Sequence, residues 1–160
     1  MPGQTQLGPM PVRRFLASPV KLKKFYLSSP ATPEAVEALS RVLPPGTPSD
    51  FFEFLRQTDG AEAALDPDWE AGEPDCIRID TVELLTQLHS TFAERYPDLL
   101  IIGGDAATKL IAYDMTQPSP WPIVIFDSDT EEFSSTIQPL APDIASLRRK
   151  FFSGEPGNAC

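Results

Sequence analysis

Two stretches decide the fold: Pro48-Ser49-Asp50-Phe51-Phe52-Glu53-Phe54-Leu55-Arg56-Gln57-Thr58-Asp59-Gly60 and, about forty residues on, Leu99-Leu100-Ile101-Ile102-Gly103-Gly104-Asp105. In the first, Phe51, Phe54 and Leu55 recur at helical spacing, so one helix face is apolar. Thr47 as cap, Pro48 at the first helical position and Asp50 three residues after the cap write its start. Asp59-Gly60 writes its end, with Gly60 suited to a left-handed backbone. In the second stretch a short run of Leu and Ile meets Gly103-Gly104-Asp105, the pattern of a strand entering a turn that allows positive φ.

Working outward, Thr32 and Pro33 open a helix carrying Val36, Leu39 and Leu43, stopped by Pro44-Pro45-Gly46. Cys76–Ile79 reads as a short strand. Asp80 with Glu83 then caps a helix bearing Val82, Leu85, Leu88, His89 and Phe92, which ends at Tyr96-Pro97. Leu99–Ile102, Lys109–Tyr113 and Ile123–Phe126 read as strands in an antiparallel meander, and Pro142 to Phe152 as a closing helix with Ile144, Leu147 and Phe151 on one face. Residues 61–76 show neither period, hold Trp69 among acids and read as a long surface loop, a kind that is more often functional than ornamental.

The chain has 160 residues, 41% apolar and 22% charged, which suits one soluble domain with a real core. Its 18 prolines are about twice the usual share and favour turns and edges over long helices. The expectation is a single α+β domain with an antiparallel or mixed sheet of about four to six strands flanked by helices. Residues 1–30 form a basic, Pro- and Gly-rich arm, 31–152 the domain and 153–160 a polar tail. No apolar run approaches the roughly 18 to 20 residues that span a bilayer, so no membrane contact is expected and the reading is cytoplasmic. Cys76 and Cys160 make neither a disulfide framework nor zinc spacing, in keeping with a reducing compartment.

The net charge of −10 is unevenly spread. Residues 1–30 carry Arg13, Arg14, Lys21, Lys23 and Lys24 and no acid. From Asp59 to Glu83 nine acids face the single base Arg78, a net −8. Such a surface repels phosphate backbones, which argues against direct nucleic-acid binding, and attracts basic proteins. The candidate partner-binding residues are Asp66, Asp68, Trp69, Glu70, Glu73 and Asp75, an aromatic anchor in a charged rim. Trp69 equally suits a role in pinning the loop to the body. A second patch is Asp127, Asp129, Glu131 and Glu132.

Catalytic signals are sparse. His89 is the only histidine and shares a helix with Val82, Leu85, Leu88 and Phe92, where packing or surface exposure explains it, so no metal site is expected. Cys76 has no acid-base partner nearby in sequence. Gly103-Gly104-Asp105 lacks both phosphate-loop spacings, so no cofactor is expected. The pairs Asp127 with Asp129 and Glu131 with Glu132 could serve acid-base chemistry, but in an acidic chain such pairs arise by composition alone.

The spacing Pro-x-x-aromatic-x-x-Phe-Leu-x-x-x-(Asn/Asp)-Gly resembles the N-terminal signature of the SUKH superfamily (Smi1/Knr4-like). Pro48, Phe51, Phe54, Leu55, Asp59 and Gly60 take that pattern. Pro97, Ile102, Gly103, Asp105, Tyr113 and Asp114 take the second, Pro-x-x-x-x-Ile-Gly-x-Asp followed by a strand. The chain departs from both at Thr47, where Leu is usual, at Asp59 in place of Asn, and at Ala106-Ala107-Thr108 in place of glycines. The resemblance runs over roughly residues 32–152 and implies an immunity protein, not an enzyme, that covers a toxin's basic, nucleic-acid-cleaving domain with its acidic surface. Two further readings stand beside it: a regulatory scaffold linked to cell-wall synthesis, as the resemblance also allows, and a small hydrolase working through the acidic pairs.

Overall fold

The computed structural model describes residues 22–65 and 74–152. Seven strands form one sheet in sequence order, every neighbouring pair antiparallel: β1 (Leu22–Leu27), β2 (Ala61–Leu65), β3 (Cys76–Ile79), β4 (Leu99–Gly104), β5 (Lys109–Asp114), β6 (Ile123–Asp127) and β7 (Gln138–Ala141). Helices α1 (Pro33–Val42) and α2 (Ser49–Gln57) lie between β1 and β2 in the chain, α3 (Val82–Arg95) between β3 and β4, and α4 (Ile144–Phe151) after β7. The architecture is α+β as expected.

The sheet is larger than the four to six strands expected, because three segments lack a strong strand signal. β1 falls within the stretch read as an arm, where Lys24 and other polar residues interrupt the apolar ones, and its pairing with β2 brings Leu22–Leu27 into the sheet. β2, Ala-Glu-Ala-Ala-Leu, falls within the stretch read as a loop. Alanine is a poor strand former, yet Ala61, Ala63 and Leu65 alternate inward at period 2. β7 contains Pro139, which a sheet tolerates at its edge.

Side-chain parity divides the sheet into two faces. On the first, Ala63, Ile77, Ile79, Leu100, Ile102, Ile111, Tyr113, Ile123 and Ile125 join Val36 and Leu39 of α1, Phe51, Phe54 and Leu55 of α2, and Leu147 and Phe151 of α4 in the main core. On the second face, Leu99, Ile101, Ala112, Val124 and Phe126 form a smaller cluster with Tyr96, Phe92 and Phe133. Strands buried on both faces read as continuous apolar runs, which is how β4 to β6 look in sequence. Helix α3 serves both faces: Val82 and Leu85 reach the main core, while Phe92 near its C-terminal end packs on the second cluster.

Several local signals resolve differently from their sequence reading. Helix α2 begins at Ser49 with Pro48 as an N-cap, whose ring has no polar atom to make a capping bond, while the Thr47 hydroxyl donates to the Pro44 carbonyl at 2.7 Å. The cap of α3 is Thr81, whose hydroxyl accepts from the Leu84 amide at 3.2 Å, and not Asp80. Gly103 and Gly104 stay in β4, and the positive φ of the following turn falls on Ala106 at 66°. Glycine is required at 103 for another reason: a Cβ there would lie 1.9 Å from the Arg78 carbonyl oxygen. The Asp105 carboxylate holds the turn by accepting from the Ala107 and Lys109 amides at 2.8 and 2.9 Å. Cys76 is disulfide-bonded, so cysteine usage no longer argues for a reducing compartment. No helix among the described residues is long and apolar enough to cross a membrane.

Candidate functional site

The second face of the sheet is only half covered by the aromatic cluster. Over β1 to β3 it forms a groove between α3 and the strands. Its inner part, about 180 Å³, lies against Tyr26, Glu62, Arg78, Asp80 and Leu84. Its outer part, about 330 Å³, continues past Leu88 and Phe92 of α3 to Gly104, Ala106 and Lys109. Arg78, Asp80 and Leu84 belong to both.

The end of the Pro48–Gly60 stretch builds the inner wall. Buried Thr58 donates its hydroxyl to the Gly60 carbonyl at 2.6 Å and accepts from the Ser28 amide at 2.8 Å, tying the end of β1 to the start of β2. The Asp59 amide donates to the Ser29 carbonyl at 2.8 Å. Its carboxylate accepts from the Val82 amide at 2.8 Å and so satisfies one orphan donor at the start of α3. Gly60, at φ 87°, lets the chain pass where a Cβ would meet the Ile79 carbonyl at 2.8 Å. These bonds hold β1, β2 and α3 around one hollow.

On β3, Ile77 and Ile79 turn into the main core, so Arg78 and Asp80 both face the groove. Asp80 continues the extended pairing, its amide donating to the Ile102 carbonyl at 2.9 Å. Two extended residues separate the two side-chain origins by about 6.5 Å. The Asp80 residue is 9% exposed, yet no described side chain or amide hydrogen-bonds or ion-pairs with its carboxylate. Burial raises its pKa to about 6, against a weaker opposing pull from the Arg78 charge. Four large hydrophobic side chains are exposed among the described residues, and Tyr26, Leu84 and Leu88 of these line the groove. The groove thus has apolar side chains around a largely buried carboxylate that solvent still reaches.

The residues singled out by sequence lie elsewhere. Asp66, Asp68, Trp69, Glu70 and Glu73 are outside the described residues. Asp75 is exposed just before β3, its carbonyl accepting from the Leu65 amide at 2.9 Å. Asp127 ends β6 and accepts from the Asp129 amide at 2.9 Å; Asp129, Glu131 and Glu132 are exposed beyond it. Asp75 and Asp127 occupy the same end of the sheet but are held apart by β4 and β5. Among the described residues no three His, Cys, Asp or Glu side chains are grouped to hold a metal ion. His89 is half-buried on α3.

The sequence reads Asp80 as a helix cap and Arg78 as the single base in an acidic run. The available signal was alternation: in Cys-Ile-Arg-Ile-Asp, isoleucines at 77 and 79 assign 78 and 80 to the other face. No family model matches this chain, and no curated protein matches it.

Proposed function

We propose that this chain is a protein-binding module that neutralises a basic toxin domain, the immunity function implied by its resemblance to the SUKH superfamily. The observation that carries the binding reading is the groove at Arg78 and Asp80, where exposed Tyr26, Leu84 and Leu88 surround a buried carboxylate that no described group satisfies. A surface for solvent alone has no need of three apolar side chains around an unpaired acid, whereas an interface uses apolar anchors for affinity and charge for specificity. The net charge of −10 adds long-range attraction for a basic partner.

The reading is tested by capture on the immobilised full chain at low salt, followed by elution with rising salt. It expects a basic protein that is retained, released by salt as exposed charges are screened, and not retained by Leu84→Asp. Release that ignores salt, or equal retention by the variant, contradicts it.

A further inference from the structure

Asp80 is the most buried charged residue among those described in the groove. Asp59 spends its oxygen on the Val82 amide, and Arg78 is half-buried, open enough for water to solvate its guanidinium. Asp80 is nine-tenths buried and has no described hydrogen-bond donor; its oxygens reach only the solvent of the groove, and Arg78 is the charge that acts on it. A carboxylate that is largely desolvated gains from a positive charge placed against it. The walls specify which. Among the described residues the carboxylates of Asp59 and Asp80 lie with the guanidinium of Arg78 in the inner part, and Tyr26 lines it beside them. A divalent ion would call for several converging oxygen ligands, and no such group exists among the described residues. A lysine or arginine side chain needs only one carboxylate, gains from the tyrosine ring, and lays its aliphatic stem on apolar walls.

We propose that the groove seats a lysine or arginine side chain of a partner protein, with the cation against Asp80 and a neighbouring apolar side chain along Leu84 and Leu88. This rests on the binding function above and names the chemistry of what is bound. Arg78, on the same face about 6.5 Å along the strand, is placed to take a carbonyl or carboxylate of the same segment. Because the bound cation needs Asp80 ionised, binding weakens as pH falls through about 6. The charged and titratable groups lining the groove with it are Asp59, Glu62, Arg78, Lys109 and Tyr26, while α3 contributes Leu84, Leu88 and Phe92.

The test is an NMR titration of the ¹⁵N-labelled full chain with acetyl-leucyl-arginine amide and with acetyl-leucyl-citrulline amide, which keeps the shape and loses the charge. The arginine peptide is expected to shift the amides of Asp80, Thr81, Leu84 and Leu88. Affinity should drop about tenfold or more with the citrulline peptide and with Asp80→Asn. Equal binding of the two peptides, shifts confined to other surfaces, no shifts, or an unchanged affinity in Asp80→Asn would overturn the proposal. The titration uses no native partner, so the two readings fail separately. A salt-released partner together with a failed titration keeps the binding function and removes the cation seat; a successful titration with no partner captured does the reverse.

Discussion

The two halves of the second sheet face are built over the same sheet and the same helix, and they end differently. Over β4 to β6, Tyr96, Phe126 and Phe133 close on one another edge to face or tilted, with ring centroids 4.8 to 5.5 Å apart. The Tyr96 hydroxyl accepts from the Arg95 side chain at 2.9 Å, so even its polar end is satisfied. Over β1 to β3 and the β4–β5 turn the corresponding space is lined by Arg78, Asp80, Gly104 and Ala106, and α3 presents Leu84 and Leu88 to an open groove. One half does what stability favours: large rings packed together and a satisfied Tyr96 hydroxyl. The other holds a largely buried carboxylate with no hydrogen-bond donor, open to solvent only through the groove.

That contrast predicts a large effect in the sealed half. Phe126→Ala should lower unfolding free energy by about 3 to 5 kcal/mol, since a ring 1% exposed is replaced by a cavity. Urea unfolding measures this, and the amide shifts around Asp80 should stay at their native positions. Gly103→Ala tests the seam between the halves: the added Cβ drives against the Arg78 carbonyl, and a loss of about 1 to 3 kcal/mol is expected by the same assay. Native-like stability would mean that β3 and β4 part without penalty. Tyr113→Phe should change stability by less than about 1 kcal/mol in either direction, because its buried hydroxyl has no partner to lose. Burial, with the charges of Asp50 and Asp143 adding to it, holds that phenol protonated. The smallest effect belongs to the open half: Leu84→Ser should stay within about 0.5 kcal/mol of the wild type, as an exposed position does, and yet lose the captured partner.

Where sequence carried a strong period, it was enough. The Val36, Leu39 and Leu43 spacing of α1, the apolar face of α2 and the runs of β4 to β6 all appear where periodicity placed them. Elements held by tertiary contact were hidden. β2 is mostly alanine and is a strand because β1 and β3 flank it. The groove was hidden for a related reason. Its parts come from β1, β2, β3, α3 and the β4–β5 turn, which no local pattern connects. Charge counting includes Asp80 among the nine acids from Asp59 to Glu83 but cannot tell that this one is buried.

Asp80 is ionisable and has no hydrogen-bond donor in the fold, and stability against pH in the wild type and in Asp80→Asn tests this most directly. In the fold Asp80 holds its proton up to about pH 6, while the unfolded chain releases it near 3.8. The native state therefore binds more protons between those values, so the favourable contribution of protonated Asp80 is intact below 3.8 and lost as pH rises through 6. Urea unfolding above that range should find Asp80→Asn more stable than the wild type by about 1 to 3 kcal/mol, with the gap closing as pH is lowered below 3.8. A variant that is equally or less stable at neutral pH would contradict the account, because Asp80 would then be matched within the fold.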